Sequence, residues 1–462
     1  MKIALVRAIT PSKFMINSVP PLGLGYLAAS LKRNNHHVSI IDCQLHNHTL
    51  SSLIEILRSF NPGIIGFTSY SFEVPYVDDA INHIKNIIPG CSIVVGGPHP
   101  SCSPYSFFSD YSKADYGIAG EGEVTFSELA DMIEKESVEV SGLPGLIYRD
   151  ENKTVVNSPE WIENLDENPM PDWELLDPLS YPDAPQGVFF RRFPVASIIT
   201  TRGCGCACTF CAGKLVLGNK VRRRSISNVL DEIEYLIDKF SFREFHILDD
   251  NFSSSSSQVI NFCNGITERN LDISWCCPNG LRLDTLNLEL LKLMKSTGCY
   301  SISSGIESGC DNILKSMKKG INTEKIRRQV NMVKEAGLSA IGFFIIGYPG
   351  ETVETINKTI DFSCSLPLDR ASFFNFIPLP GTEASRMVFE ANPELKNDYS
   401  NLHCAFVSYS DSNLSLEDVK SLQRKAFLKF YLSPGRLIAL LLSIKSLRQL
   451  KFIMQRALLY LR

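Results

Sequence analysis

The chain has 462 residues, of which 44% are hydrophobic and 21% are charged, and its formal net charge is −4 at pH 7. This composition excludes a long disordered chain and supplies enough apolar residues for two or three domains. The near-neutral charge excludes a protein that binds polyanions with its whole surface. The 14 cysteines, with no recognisable signal peptide, predict a cytoplasmic protein whose thiols are buried or bind metal.

Residues 1–138 alternate short apolar segments with amphipathic ones, which predicts an N-terminal doubly wound parallel α/β sheet. The expected strands are residues 3–6, 38–41, 63–68, 92–95 and 116–119, and the expected helices are 22–34, 51–60, 77–88 and 125–135. Such sheets bind ligands in the loops that follow their strands. These loops are residues 10–17, 42–48, 68–72, 96–101 and 120–123. No G-x-G-x-x-G follows the first strand, which disfavours a dinucleotide site.

Residues 139–190 are expected to connect this domain to the next one. Residues 145–149 and 154–157 predict a hairpin, and the Pro-, Asp- and Glu-rich stretch 159–185 predicts an irregular linker on the surface.

The strongest chemical signal is a C-x3-C-x2-C motif formed by Cys204, Cys208 and Cys211 after an apolar strand at residues 195–199. Three thiolates in one short loop can hold three irons of a 4Fe–4S cluster and leave the fourth iron open to a ligand. A structural zinc site would need a fourth ligand, and no pair at finger spacing lies nearby. Buried bystander cysteines are the other alternative, and Cys206 offers a second, less favourable register.

Phe210 precedes the last cysteine, and with it the loop resembles the radical S-adenosylmethionine (radical SAM) enzymes. The resemblance continues over residues 191–395, where six strand–helix units imply the partial (β/α)6 TIM-type barrel of that family. The expected strands are residues 195–199, 245–248, 273–277, 300–303, 340–346 and 372–376.

The resemblance implies that Cys204, Cys208 and Cys211 are the catalytic, metal-binding residues that hold the cluster. The implied contacts of S-adenosylmethionine (SAM) are Phe210, Asp249, Asp250, Arg282, Glu307 and Gly347. Phe210 would pack near adenine, an aspartate would bind the amino group, Arg282 the carboxylate and Glu307 the ribose. Asp249, Asp250 and Glu307 could instead cap helices or turns. The basic run 220–224 is expected to be a solvated loop, with an anionic ligand as the alternative.

Three glycine-containing strings resemble the cobalamin-binding domain that precedes the barrel in one large subclass of the family. They are Pro21-Leu-Gly-Leu-Gly25, Val95-Gly-Gly-Pro-His99 and Gly120-Glu-Gly-Glu123. The D-x-H-x-x-G signature of many cobalamin domains is absent from this sequence. The implied cobalamin contacts are Thr68, Ser69, Gly97, Pro98, His99, Gly120, Glu121 and Gly122.

Residues 396–462 predict a C-terminal helical extension, with two helices on either side of Ser433-Pro-Gly435. Residues 425–462 contain eight Lys or Arg and no Asp or Glu. The helical spacing of the apolar residues predicts a helix packed on the barrel. The alternative is an interfacial helix that makes peripheral contact with an anionic membrane.

The resemblance thus implies a radical SAM enzyme that binds a 4Fe–4S cluster, SAM and cobalamin. It would generate a 5′-deoxyadenosyl radical, abstract hydrogen from an unactivated carbon and methylate that carbon. Ring formation, ring contraction or oxidative cyclisation of a lipid or tetrapyrrole is an alternative, as in the anaerobic magnesium-protoporphyrin monomethyl ester cyclase. A non-catalytic iron–sulfur or corrinoid sensor is an alternative of another class. The expected partners are a small-molecule or lipid-like substrate and a flavodoxin- or ferredoxin-type electron donor. Nucleic acid is not expected, because the basic residues are not interleaved with aromatic ones.

Overall fold

The structure is a computed structural model. It describes residues 1–11, 19–137, 140–151, 153–182, 189–399, 401–404, 406–411, 414–444 and 446–461. Most of the loop expected at residues 10–17, and the domain boundary expected at residues 138 and 139, lie outside the described residues.

The N-terminal part is a seven-stranded sheet of order β2-β1-β3-β4-β5-β6-β7. Its strands are β1 (Lys2–Arg7), β2 (His37–Asp42), β3 (Ile64–Thr68), β4 (Ser92–Gly96), β5 (Tyr116–Ile118), β6 (Leu146–Asp150) and β7 (Lys153–Val156). Its helices are α1 (Leu22–Arg33), α2 (Leu50–Phe60), α3 (Val74–Ile87), α4 (Pro98–Cys102), α5 (Phe107–Asp110) and α6 (Glu123–Glu134). The strands β1 to β5 pair in parallel, which confirms the predicted doubly wound sheet. The predicted hairpin, β6 and β7, extends this sheet by antiparallel pairing.

Alternate residues of each parallel strand enter different hydrophobic clusters, one on each face of the sheet. Ala4 and Val6 belong to one cluster, whereas Ile3 and Leu5 belong to the other. Burial on both faces explains why these strands read as continuous apolar runs and not as alternating ones.

The segment before the barrel differs from the predicted surface linker. It contains the short helix α7 (Trp173–Leu176), and Trp173 is only 1% exposed. The Trp173 indole donates a hydrogen bond to Glu232 at 2.9 Å, and its ring belongs to the barrel core. The prediction of a surface linker was therefore wrong here, since a composition rich in Pro, Asp and Glu conceals one large buried aromatic side chain.

The barrel is built on a six-stranded parallel sheet of order β15-β14-β13-β12-β11-β8, beside a two-stranded ribbon of β9 and β10. Its strands are β8 (Val195–Ile198), β9 (Thr201–Arg202), β10 (Arg222–Arg223), β11 (Glu244–Ile247), β12 (Ser274–Leu281), β13 (Cys299–Glu307), β14 (Ser339–Ile346) and β15 (Arg370–Asn375). Its helices are α8 (Gly213–Leu217), α9 (Ile226–Phe240), α10 (Ser256–Glu268), α11 (Leu288–Ser296), α12 (Asp311–Ser316), α13 (Thr323–Glu335), α14 (Val353–Ser365) and α15 (Glu383–Ala391). All six predicted strand–helix units are present. β8 and β15 stand at the two ends of the strand order and do not pair with each other in the described part of the chain, so the barrel is open.

The C-terminal extension has three described helices and not the two predicted: α16 (Leu416–Tyr431), α17 (Pro434–Leu442) and α18 (Leu447–Leu461). Helix α16 covers the free edge of β15. Tyr431 accepts from the amide of Ala371 and donates to its carbonyl, and Gln423 donates to the carbonyl of Phe373 at 2.7 Å. Three backbone groups of this edge strand thus have partners on α16. None of the described helices has the length and apolar character that crossing a bilayer requires.

Candidate functional site

The cysteine motif lies in an irregular loop after β9, on the side of the barrel sheet where the parallel strands end. Cys204 and Cys208 are half-buried and Cys211 is exposed, and all three are free thiols. Gly203, just before the loop, has φ of +88°, and a Cβ there would lie 2.4 Å from the carbonyl oxygen of Lys220. Only glycine fits this close turn, which directs the chain into the loop.

Thr209, between the second and third cysteines, anchors the loop to the barrel. Its amide donates to the carbonyl of Met317 at 3.1 Å, and its carbonyl accepts from Ala384 at 2.9 Å. Its hydroxyl lies 2.8 Å from that of Tyr348. Three contacts thus hold the middle of the loop, with Cys204 and Cys208 before Thr209 and Cys211 after it.

Two cations face the cysteine loop. Arg282 donates a hydrogen bond to the Cys206 sulfur at 3.2 Å, and Lys319 acts electrostatically on Cys206, Cys208 and Cys211. Hydrogen bonds from Cys204 and then from Arg282 lower the pKa of Cys206 to about 5. Burial raises the pKa of Cys208, and Lys319 opposes this rise. The pKa values of Cys204 and Cys211 are also raised, so among the four thiols of the loop only Cys206 is favoured as a thiolate.

Arg282 is also held by a carboxylate. Its Nε and Nη2 donate to the two oxygens of Asp284, at 2.9 and 2.8 Å. The guanidinium thus donates to both Asp284 and Cys206, and few of its N–H groups remain to bind a ligand carboxylate. Arg282 thus lies beside the cysteine loop and is bonded to Cys206, and its contact with SAM stays a prediction.

Glu307 ends β13 in the left-handed region, with φ of +65°. Its carboxylate is buried and pairs with the Lys319 ammonium at 2.7 Å. Burial lowers the pKa of Lys319, but Glu307 and then Cys208 outweigh this effect and raise it overall. Glu307 and Lys319 therefore form a charged pair beside the cysteine loop, and the prediction that Glu307 lies at the site is compatible with this position.

The two aspartates after β11 have different surroundings. Asp249 is buried and accepts from the Thr200 amide at 2.7 Å and from the hydroxyls of Thr200 and Thr201 at 2.5 and 3.0 Å. Burial raises the pKa of Asp249 to about 6, although the Thr200 hydrogen bonds oppose the shift. Its oxygens are thus already bonded, which corrects the expectation that Asp249 binds the amino group of SAM. Asp250 is exposed, and a Cβ on Gly213 would lie 3.9 Å from its carboxylate, so Asp250 stays available.

The remaining predicted SAM contacts divide in a similar way. Phe210 is half-buried and packs against a cluster that includes Tyr348, so only part of its ring is accessible. Gly347 has φ of +83° and donates from its amide to Glu351 at 2.8 Å. Glu351 also accepts from the amide of Tyr348 at 3.1 Å, and burial raises its pKa to about 8. Glu351, which the sequence reading missed, therefore shapes the turn that follows β14.

In the N-terminal sheet, the loops after β3 and β4 come very close together. A Cβ on Gly97, where φ is +101°, would lie 2.8 Å from the Thr68 hydroxyl and 3.1 Å from the Ser69 amide. Gly97 and Pro98 lead into α4 beside these residues. Ser69 is fully buried and accepts from the hydroxyl of Tyr111 at 2.7 Å. The missing side chain at position 97 thus lets these two loops pack closely at the carboxyl edge of the sheet, the edge at which the sequence predicts a ligand site.

His99 does not present its side chain to a ligand. The ring is fully buried, and its nitrogens lie 3.0 Å from the Ser71 hydroxyl and 3.0 Å from the Asp110 carboxylate. Both ring nitrogens therefore have protein partners. The expected ligand contact of His99 is corrected to a role in the core, because an internal carboxylate outcompetes an external ligand.

The third expected loop, Gly120 to Gly122, contacts the rest of the chain. A Cβ on Gly120 would lie 3.0 Å from Pro159 and 3.2 Å from Trp161. The Glu121 carboxylate is buried and pairs with Arg202 at 2.9 Å and with Arg222 at 2.5 Å. The expected cobalamin contact of the Glu121 side chain is therefore corrected to an ion pair between the two domains.

This ion-pair network extends to Glu123, which pairs with Arg202 at 2.7 Å. Burial raises the pKa of Glu123, but Arg202 outweighs it and lowers the pKa overall. Arg222 and Arg224, expected to be solvated, are 3% and 5% exposed. Arg224 pairs with the buried Glu232. The sequence could not show the pairs between the two domains, because their acidic and basic residues lie about 80 to 100 residues from each other in the chain. Only the pair of Arg224 and Glu232 is local.

Known proteins resemble both halves of the chain. A family model described as a B12 binding domain matches residues 17–130, and one described as the radical SAM superfamily matches residues 198–363. An uncharacterized methyltransferase of Pyrococcus horikoshii is 35% identical over 443 residues, which cover 95% of this chain and 94% of the relative. The cytidylyl-2-hydroxyethylphosphonate methyltransferase of Streptomyces wedmorensis is 28% identical over 79% of this chain and 77% of the relative.

Two solved structures share the fold. The radical SAM methyltransferase TsrM from Kitasatospora setae, with cobalamin and a 4Fe–4S cluster bound, has a TM-score of 0.70 at 20% identity, over 84% of this chain and 78% of that chain. The cobalamin-dependent SAM radical enzyme OxsB, with aqua-cobalamin and SAM bound, has a TM-score of 0.75 at 20% identity, over 100% of this chain and 72% of that chain. At this identity the likeness concerns the fold.

Proposed function

The chain belongs to the family of radical SAM enzymes that carry an N-terminal B12-binding domain, and within it we propose that this enzyme methylates an unactivated carbon of a small molecule. One observation carries the proposal. Arg202, two residues before Cys204, is ion-paired with Glu121 and Glu123, which follow β5 of the N-terminal sheet. This contact ties the loop that would hold the cluster to the sheet that would hold the methyl donor, and methyl transfer requires both to reach one substrate carbon.

We propose that Cys204, Cys208 and Cys211 bind the 4Fe–4S cluster, a role that their accessible thiols and the neighbouring cations fit. When bound, the cluster and SAM supply a 5′-deoxyadenosyl radical that removes hydrogen from the substrate, and cobalamin supplies the methyl group.

Around SAM, we propose that Asp250 binds the amino group in place of Asp249, and that Glu307 binds the ribose while Lys319 orients it. Phe210 and the Gly347 turn would flank the adenine. Arg282 would stabilise the loop through Cys206.

We propose that Thr68, Gly97 and Pro98 contact cobalamin, because they lie together at the carboxyl edge of the sheet, where such sheets bind ligands. In this proposal the buried side chains of Ser69, His99 and Glu121 support these loops from within the protein, and Gly120 and Gly122 offer only backbone to the cofactor. We propose that the chain has four parts, residues 1–138, 139–190, 191–395 and 396–462. The hairpin of β6 and β7, in the second part, extends the sheet of the first.

We further propose that a flavodoxin- or ferredoxin-type protein supplies the electron. The helices α17 and α18 support the proposed peripheral membrane contact, because Leu442 and Leu447 are 82% and 86% exposed and the surrounding segment is basic. Co-sedimentation with anionic liposomes should be lost when the chain is truncated before Pro434, and equal binding of both forms would contradict this contact.

Anaerobic reconstitution tests the function. The purified chain receives iron, sulfide, cobalamin, SAM and a reductant, and 5′-deoxyadenosine is measured. We expect its release by the wild-type protein and not by the variant in which Cys204, Cys208 and Cys211 are alanine. Intact SAM in the wild-type reaction would favour the sensor instead. With a substrate, a product heavier by one methyl group supports methylation, whereas a ring-closed product supports the cyclase alternative.

A further inference from the structure

The inner face of the barrel sheet is partly accessible along its last two strands. In β14 and β15 every second residue enters the outer hydrophobic core, including Ala340, Phe344, Ala371 and Phe373. The residues between them are only half-buried and point to the other, inner face: Ile341, Phe343, Arg370, Ser372 and Phe374. Period-two alternation in a strand assigns this second set to the barrel lumen. The lumen next to the open edge is therefore lined by apolar side chains and one arginine.

The sheet curls so that Arg370 faces the opposite wall of the lumen. In a flat six-stranded sheet, the edges β8 and β15 would lie roughly 24 Å apart, at about 4.8 Å per strand. Instead the Arg370 guanidinium stands 3.4 Å from the ring centroid of Phe189, in the segment that leads into β8. Tyr300 of β13 and Cys276 of β12 also act electrostatically on Arg370. In a flat sheet these two residues would lie two and three strand spacings away from β15, and their effect on Arg370 would be weaker.

Arg370 has no anionic partner among the described residues. Its guanidinium stacks on the aromatic face of Phe189, and Tyr431 and Asp369 act on it electrostatically. The adjacent acid, Asp369, is already paired with Lys334 at 2.7 Å. Burial lowers the pKa of Arg370, the direction expected of a cation that has lost water without gaining a counter-ion. A half-buried guanidinium without a counter-ion is costly unless a ligand supplies one.

The opposite wall cannot supply that counter-ion. Glu244 is fully buried, and its carboxylate accepts from the Tyr300 hydroxyl at 2.7 Å and from the Arg191 amide at 2.7 Å. His246 lies 3.2 Å from the same carboxylate. Burial lowers the pKa of His246, but Cys276 and Glu244 outweigh this effect and raise it overall. The Glu244 carboxylate therefore has hydrogen-bond partners of its own, and Arg370 is not among them.

We propose that the barrel lumen binds the substrate by an anionic group, a carboxylate or a phosphate-type group, paired with Arg370, and that the apolar body of the substrate packs against Ile341, Phe343 and Phe374. This inference rests on the proposed function, because it takes the lumen as the substrate site. Arg370 begins β15, five residues before the end of the strand, so the anion lies roughly 17 Å along the strand from the cofactor edge. The substrate is thus an elongated amphiphilic acid whose reacting carbon is remote from its charge.

The test uses three probes of equal chain length on the reconstituted full-length protein: decanoate, decyl phosphate and decanol. We expect at least one of the two anions to bind at least tenfold more tightly than decanol in calorimetric titrations. Arg370→Gln should weaken the binding of that anion about tenfold, the effect of one charge-assisted hydrogen bond of about 1.5 kcal/mol, and leave decanol unchanged. Arg370→Lys should restore part of the affinity. The two anionic arms show whether a carboxylate or a phosphate-type group is preferred.

The matched control is Arg328→Gln, which removes an exposed arginine on α13. Circular dichroism verifies that each variant is folded. Equal anion binding by wild type and Arg370→Gln, or binding of decanol as tight as that of both anions, would overturn the proposal and leave Arg370 as a structural contact to Phe189. Release of 5′-deoxyadenosine is measured in the same samples. Its absence contradicts the proposed function, whereas its presence together with charge-independent binding contradicts only this inference.

Discussion

Replacement of Glu121 by alanine should destabilise the contact between the two halves of the chain. Glu121 is the shared acceptor of Arg202 and Arg222, at 2.9 and 2.5 Å, and all three side chains are at most 8% exposed. Removing one partner from a buried ion pair costs about 3–5 kcal/mol, because the remaining charge is left desolvated. Arg202 would keep Glu123, and Arg222 would keep the carbonyls of Ile162 and Leu217. We therefore expect the lower end, about 3 kcal/mol, for Glu121→Ala.

Glu121→Gln provides a graded comparison. The glutamine side chain has a similar shape and keeps one acceptor oxygen but loses the charge. Glu121→Gln should therefore lower the free energy of unfolding by about 1–2 kcal/mol. Both values follow from urea unfolding monitored by far-UV circular dichroism and by tryptophan fluorescence, provided that the two transitions coincide. The control is Glu128→Gln on the exposed face of α6, which should change the free energy of unfolding by less than about 0.5 kcal/mol. If Glu121→Ala behaves like this control, the network does not hold the two domains together.

Three further predictions concern the barrel. Cys204→Ala should abolish the brown iron–sulfur chromophore after anaerobic reconstitution while Cys206→Ala retains it; the reverse result would show that the second register binds the cluster. Lys319→Gln should weaken SAM binding about tenfold in equilibrium dialysis, because the charged pair beside the cysteines is lost. Lys318→Gln, which changes the exposed neighbouring lysine, should have no effect. The pKa of Glu351 is raised from 4.5 to about 8. Its contribution to the free energy of unfolding is therefore complete below pH 4.5 and is lost as the pH rises to 8. The loss is at most about 1.4 kcal/mol per pH unit. Glu351→Gln should therefore gain thermal stability relative to wild type between pH 5.5 and 8.5, and a constant difference would contradict the shift.

The elements that the sequence predicted well are those with a local signal. Most parallel strands of both sheets are short segments rich in apolar residues, and both sheets have the predicted strands. The cysteine motif was equally local, since three candidate metal ligands within eight residues are recognisable without knowledge of the fold. Glycine positions such as Gly97 were also readable, because a close approach excludes every other side chain.

The errors arose where distant parts of the chain meet. His99 and Glu121 stand in glycine-containing loops and carry groups that bind ligands well, so sequence reasoning assigned them to the cofactor. The structure gives their partners as Asp110 and two arginines, and only the fold brings these residues together. Asp249 is a similar case, because the threonines that saturate its carboxylate are about 50 residues earlier. Lys319 was missed for the same reason, as its pairing with Glu307 depends on the turn after α12.

The position of the buried charges suggests why the chain places arginines directly around the cluster loop. Arg202 precedes the loop and Arg222 follows it, and both end at Glu121 in the other domain. The strand pairing of Arg202 with Arg222 closes the base of the loop, so the ion pairs fix both of its ends relative to the N-terminal sheet. In the proposed reaction one substrate carbon would have to reach both the site of hydrogen abstraction beside the loop and the methyl donor beside that sheet, and a displacement of about 1 Å can cost a hundredfold in rate. Buried ion pairs are a poor source of net stability but a good means of fixing geometry, which is the requirement at this junction.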